Sequence, residues 1–295
     1  MYDIISRRKL FYLVSGAIIL VGLISLATRG LNLGIDFTSG SLLQLQFDRE
    51  VTVAEIYEVL SSDEVEALGV TKSSVRVSGD RRTAMVTINP ISRAAEAELL
   101  DVIANTIGAV ELLSSDRVDP IVGGELVRKA IIALALSAVG ILVYVSLRFE
   151  PRFAGAGVMA LIHDVLVVLT VFSVFQVEVN SPFIAGILTV IGYSINATIV
   201  VFDRIRENMA KGLTNSLEEL ANISVNQTLK RCLYTSLTTA FTAGALHFLG
   251  AASIRDLTLS FLIGLVAGTY SSTCVAAGMW LDLREWSQRR AVAAR

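Results

Sequence analysis

Residues 189–208 read TVIGYSINATIVVFDRIREN. With the apolar residues that lead into it, this stretch makes a helix long enough to cross a bilayer, which takes ~20 mostly apolar residues at ~1.5 Å rise each. Tyr193, Ser194, Asn196 and Thr198 fall inside the crossing, and Asp203-Arg204-Ile205-Arg206-Glu207 closes it. Polar groups in hydrocarbon cost free energy, so their presence predicts a membrane protein that moves something.

Along the whole chain, six apolar blocks have spanning length: residues 10–28, 126–147, 153–175, 183–202, 232–250 and 257–281. Only 18% of the 295 residues are charged, where a soluble domain carries roughly a quarter. The first block is expected to stay attached, because its apolar run is too long for a signal peptide and Thr28-Arg29-Gly30 makes a poor cleavage site.

Residues 30–120 are polar, with 7 Lys and Arg against 15 Asp and Glu; the rest of the chain has 18 against 12. Arg7, Arg8, Lys9, Arg148, Arg152, Arg204, Arg206, Lys211, Lys230, Arg231, Arg284, Arg289, Arg290 and Arg295 collect on one side, while Arg128 and Lys129 run against the trend. The positive-inside rule puts both termini in the cytoplasm and the acidic block outside. Cys232 and Cys274 both lie in spans, so no disulfide framework is implied, and both read as small packing residues.

Proline punctuates the chain. Pro90 divides a strand pattern from a helix pattern, Pro120 ends the outer block, Pro151 marks the turn between spans two and three, and Pro182 opens span four. Inside the outer block, 42–47 is strand-like and Val53–Leu60 is an amphipathic helix capped by Thr52. Residues 74–77 and 84–88 alternate at period two around a Gly79-Asp80 turn, Ser92 caps a second helix to about Thr106, and 110–113 is a last strand. The β-α-β-β-α-β order predicts a ferredoxin-like domain, which by itself names no function. Between spans four and five, Leu213, Leu217, Leu220, Ala221 and Ile223/Ser224 recur at helical spacing. They predict an amphipathic helix on the membrane or on the bundle, or an ordinary loop helix.

These pieces resemble the SecF family of protein-export subunits. Residues 33–40, LGIDFTSG, are similar to its GIDFTGG, with Gly34, Asp36 and Gly40 in the motif. Val118-Asp119-Pro120 through Gly124-Glu125-Leu126 resembles VGPxxGxEL, and 144–153 resembles YVxxRFExRFA. Residues 161–164 resemble LxHD, and 189–208 resemble GYSINDTIVVFDRIREN. Residues 227–231 with 235–239 resemble QTLxR and TSLTT, and 268–272 resemble GTYSS. The resemblance runs from about residue 7 to 282.

It implies a six-helix half of the RND type, with the α+β domain outside the bacterial inner membrane. The expected division is 1–29 tail and first helix, 30–120 outer domain, 121–282 five-helix domain and 283–295 basic tail. The implied partners are SecD, which would supply a second six-helix half, the SecYEG translocon, unfolded preprotein and the bilayer, with YajC and YidC beyond them. The implied drive is a proton or sodium gradient. The chain carries no GxxxxGK[ST] loop and no HExxH motif, and no enzyme activity, metal, cofactor or nucleic acid is expected. A non-coupling scaffold subunit and half of an RND-type small-molecule or lipid exporter are the alternatives; such exporters usually carry both halves in one chain.

Two departures from the family pattern matter. Ser39 stands where the family usually has Gly, and a positive φ there would strain it by ~1 kcal/mol or more. Ala197 stands where the family has Asp, facing the arginine that is Arg231 here. Arg231, Thr235 and Asn196 are retained, but the carboxylate is absent. A guanidinium unpaired in hydrocarbon costs ~2.5–3.5 kcal/mol, so Arg231 must reach the interface or pair elsewhere. Three readings stay open: an introduced Asp-to-Ala change, a natural variant coupled through a SecD carboxylate, or a relay moved to Asp164 beside His163. Asp164 lies ~16 Å into its span. Asp164 and His163 could equally lock helices together, as could Asn196, Thr235, Thr238 and Thr239. Asp203, Arg204 and Arg206 read equally as a solvated ion-pair cluster. His247 reads as an interface anchor. Gly155, Gly157 and Ala243-Gly244-Ala245 are expected to permit close helix contact.

Overall fold

The computed structural model describes residues 1–71, 73–79, 81–118 and 120–293. Asp80, Asp119 and Arg295, used in the sequence reading, lie outside the described residues. The chain divides into two units, Leu33–Ile131 and the remainder, Met1–Asn32 with Ile132–Arg295.

Helix α1 (Arg8–Thr28) opens the larger unit. The smaller unit begins with a short turn of helix, α2 (Ile35–Thr38), and then β1 (Gly40–Phe47), α3 (Val53–Leu60), α4 (Asp63–Ala67), β2 (Ser73–Val77), β3 (Thr83–Ile88), α5 (Arg93–Thr106) and β4 (Val110–Val118). The four strands form one sheet in the order β2-β3-β1-β4. All pairings are antiparallel, with Leu43 opposite Val86 and Ser115, and β1 against β4 shifts register between Gln44 and Leu45. Period-two alternation buries Leu43, Leu45 and Phe47, and likewise Ala84, Val86 and Ile88. Ile56 on α3 and Leu99 and Ile103 on α5 cover that face. Each large side chain so buried contributes ~1.5–3 kcal/mol.

Both predicted caps form. Thr52 Oγ1 accepts from Glu55 N at 3.3 Å, while Glu55 Oε2 accepts from Thr52 N at 2.8 Å. Ser92 Oγ accepts from Ala95 N at 3.1 Å. The Thr52 N–H, with Arg49 beside it, holds the Glu55 carboxyl below its usual range. The last strand is longer than the sequence suggests, because β4 continues to Val118 along the edge of β1.

Helix α6 (Pro120–Arg148) follows, then α7 (Pro151–Val174), α8 (Ser181–Ala210), α9 (Leu217–Leu249), α10 (Arg255–Tyr270) and α11 (Ala276–Ala293). Pro151 and Pro182 sit in the first turns of α7 and α8, where a missing N–H costs nothing. Residues Ser271–Val275 form a π turn that joins α10 to α11. Among the described residues, five helical stretches are long and apolar enough to cross a membrane: Arg8–Thr28, Val122–Arg148, Pro151–Val174, Ser181–Ala210 and Arg255–Arg290.

The block 232–250 lies in the second half of α9, whose first half carries Asn222, Asn226, Gln227, Lys230 and Arg231. The helix expected here is the start of α9 from Leu217, and of the placements expected for it the one on the bundle is found, through Leu220, Ala221 and Val225; Leu213 lies outside it. Its asparagines also stitch down the first residues of the chain. Asn222 Oδ1 accepts from Ile4 N and Ile5 N at 3.0 and 3.3 Å, and Asn226 Oδ1 accepts from Tyr2 N at 2.7 Å. Residues 283–293, read as a tail, continue α11.

The core at one end of this unit is aromatic. Phe153 stacks on Trp280 with ring centroids 5.0 Å apart and meets Phe202 at the same separation. Between α8 and α10 the backbones nearly touch: a Cβ at Gly264 would lie 2.1 Å from Val190 Cγ2, and one at Gly268 2.9 Å from Ser194 Oγ. Gly155 and Gly157 do lie against Leu283 and against Ile195 and Phe202. Gly244 departs from expectation, because no described atom lies within 4 Å of where its Cβ would be.

Candidate functional site

The close approach of α10 to α8 brings four helical segments around one carboxyl. Asp164, on α7, is 0% exposed. Its Oδ2 accepts from Ser194 Oγ on α8 and from Ser271 Oγ at 2.9 Å on the π turn. Its Oδ1 lies 2.9 Å from Nδ1 of His163, which is itself 6% exposed. On the far side of the ring, Nε2 lies 3.0 Å from Ser15 Oγ of α1. Ser15 meets the Tyr270 hydroxyl at 3.2 Å, and Tyr270 donates to Phe11 O at 2.8 Å. A turn along α8, Thr198 meets Ser272 at 2.9 Å.

The π turn explains the convergence. Successive residues of an α-helix point ~100° apart, and widening one turn lets Ser271 and Ser272 both serve buried partners. A groove of about 610 Å³ adjoins the cluster, walled by Val14, Ile18, Val167 and Leu262 with His163 and Tyr270 as its polar residues.

The retained residues around position 197 lie apart from this cluster, Asn196 on α8 and Arg231 and Thr235 on α9. Asn196, Arg231 and Thr235 are exposed and Ala197 is half-exposed. Thr235 Oγ1 turns back to the Arg231 carbonyl at 2.9 Å, and Thr238 Oγ1 likewise to Tyr234 O at 3.0 Å. Tyr193 meets Thr239 at 3.3 Å, which ties α8 to α9. No ion pair to Arg231 occurs among the described residues. At the end of α8, Asp203 pairs with Arg148 at 3.5 Å and Arg206 at 3.7 Å, and Arg204 with Glu207 at 2.9 Å. All are surface pairs. His247 hydrogen-bonds Thr258 of α10 at 2.9 Å, so it ties two helices.

In the smaller unit, Gly34 caps α2, Asp36 lies in its first turn, and Thr38 Oγ1 donates to Gly34 O at 3.0 Å. Ser39 does adopt a positive φ, +63° with ψ 155°, a region nearly reserved for glycine. Gly40 follows at φ +153°, and a Cβ there would lie 2.6 Å from Ile88 O. The spatial roles of Ser15, Tyr270, Ser271 and Ser272 were not read from sequence. Ser271 and Ser272 carried a signal as part of residues 268–272, but nothing in a linear string aims them at Asp164.

A helical bundle with a buried polar cluster inside it, joined to a sheet unit after the first helix, defines a class of polytopic membrane proteins. The comparisons place the chain within that class. Residues 99–286 match the family described as protein export membrane protein SecD/SecF, C-terminal, and residues 24–51 match the SecD/SecF GG motif. The protein translocase subunit SecF of Acidaminococcus fermentans is 40% identical over 293 residues, 98% of this chain and 99% of that protein. The SecDF subunit of Bacillus subtilis is 37% identical over 95% of this chain, which spans 38% of that protein. The crystal structure of SecDF from Thermus thermophilus superposes with a TM-score of 0.87 at 33% identity, over 96% of this chain and 39% of that one. The chain belongs to the SecF family of protein translocase subunits.

Proposed function

We propose that the chain is the SecF half of a two-part membrane device that helps preproteins leave a SecYEG channel. SecD supplies the other six-helix half, and a proton or sodium gradient powers the cycle through a coupling that Ala197 impairs. YajC and YidC are accessory partners on this reading, and no reaction is catalysed. The block 232–250 is a sixth span, which completes the half. The sheet unit is a ferredoxin-like domain on the outer face, where it engages emerging unfolded chain, and both termini lie in the cytoplasm. The mean hydropathy of +0.63 and the acidic balance of residues 30–120 support this placement.

One observation carries the coupling part of the reading. Arg231 is exposed one turn from Thr235 on α9, Asn196 is exposed on α8, and no carboxylate of the described residues meets Arg231. Ala197 offers only a methyl group. A cation in a membrane unit needs a counter-charge, and a carboxylate from the SecD half is the group that would supply it.

The test uses vesicles that hold the chain with its SecD half and a SecYEG channel. With Ala197, dissipating the gradient slows late translocation weakly or not at all. Ala197→Asp increases that slowing. An unchanged response removes position 197 from the relay, and a scaffold role gains if assembly and export also survive Arg231→Ala.

A further inference from the structure

We infer that His163 and Asp164 form an intramembrane proton site, separate from the Arg231 face, which holds one proton between Nδ1 and Oδ1. The inference follows from counting hydroxyl protons along the chain of contacts. Tyr270 has one, and it goes to Phe11 O, 2.8 Å away, which can only accept. The 3.2 Å contact of Tyr270 with Ser15 therefore uses the proton of Ser15. Ser15 has none left for Nε2 of His163, 3.0 Å away, so that ring nitrogen is the donor. Across the ring, Nδ1 and Oδ1 lie 2.9 Å apart with a proton between them. Whether the nitrogen or the oxygen holds it, the proton count of the pair is the same and its net charge is zero.

The opposite arrangement turns Ser15 toward Nε2. It leaves the Ser15 and Tyr270 oxygens facing each other without a proton and makes Asp164 a carboxylate held only by neutral donors, Ser194, Ser271 and the His163 ring. Asp164 is 0% exposed, and no Lys or Arg contact with it occurs among the described residues. A buried charge without a counter-charge is disfavoured. The neighbouring titratable groups are engaged elsewhere. Tyr12 of α1 bonds Asp282 of α11, which also holds Arg8. Tyr193 of α8 meets Thr239, Cys274 of the π turn meets Thr273, and Asp256 of α10 accepts from Asn180. The pair therefore stores a proton without help from position 197. Releasing it would create a negative charge held by Ser194 and Ser271.

The chain has two histidines, so His247→Gln leaves His163 as a single reporter. We would record ¹⁵N-histidine spectra of that full-length variant in lipid nanodiscs at neutral pH. The expected spectrum shows Nε2 protonated and a proton bridging from Nδ1. Adding Asp164→Asn strips Nδ1 and leaves the Nε2 proton in place. A bare Nε2 in the parent, or an Nδ1 proton that persists after Asp164→Asn, overturns the proposal. Should Asp164→Asn not fold, Ser15→Ala serves in its place. It keeps the Nδ1 proton and speeds exchange of the Nε2 proton with deuterated solvent by roughly tenfold. Unchanged exchange overturns the proposal. The measurement needs neither translocon nor gradient, so its failure is distinct from failure of the Arg231 reading.

Discussion

Helix α8 has two polar edges with opposite fates. Along one, Ser194 and Thr198 are buried and bonded to Asp164 and Ser272 of neighbouring segments. Along the other, Asn196 and Ala197 lie open, as do Arg231 and Thr235 of α9. The first edge is completed within the chain. The second presents groups that this chain does not finish, which is where a partner half would be read. The polar content of a span is therefore a poor guide to its role; what matters is which edge its own neighbours close.

Paired substitution puts this contrast under the greatest stress. Asp164→Ala leaves Ser194, Ser271 and His163 without their acceptor and should lower stability by ~3–5 kcal/mol. Arg231→Ala should stay within ~0.5 kcal/mol. Thermal unfolding in detergent measures both, and equal losses would erase the distinction between the edges.

Glycine gives a second pair. Gly264→Ala drives a methyl against Val190, loosens the α8–α10 contact behind the closed edge, and should cost ~1–3 kcal/mol. Gly244→Ala meets open space and should gain ~0.5–1 kcal/mol from helix propensity alone. The same unfolding measurement reads both, and a loss at Gly244 as large as that at Gly264 would mean that the two glycines are packed alike.

Changes in the sheet unit set the scale, since they touch neither edge. Ser39→Gly relieves the positive φ and should stabilise by ~1 kcal/mol. The smallest effect belongs to Glu55. Its folded carboxyl titrates below the ordinary glutamate range, so its contribution is present above that range and fades as pH falls through the folded value. Glu55→Gln should flatten the acid limb of the stability profile slightly. A steeper limb would contradict the cap geometry.

Much of this was legible in the string. Thr52 and Ser92 announced their helices because capping is local, and β2 and β3 announced themselves by alternation. The apolar blocks gave the helices because hydrocarbon leaves few other solutions. What stayed hidden depends on distant contact. Residues 217–231 read as helical, but only Leu220, Ala221 and Val225 in the core decide between membrane, bundle and loop. Asp164 was legible as a costly group, but its partners come from positions 15, 194 and 271, and nothing sequential joins them. Ser39 was flagged only through resemblance, since a serine carries no mark of its φ.

The wide turn at Ser271–Val275 also takes up one residue more than an α turn of the same rotation. Removing one residue there would let the helix run on with regular spacing and leave the following segment nearly in phase, with Trp280 still stacked on Phe153. What it would undo is the shared reach of Ser271 and Ser272 toward Asp164 and Thr198. A deletion at this point should thus spare the far end of the bundle and dismantle the polar cluster.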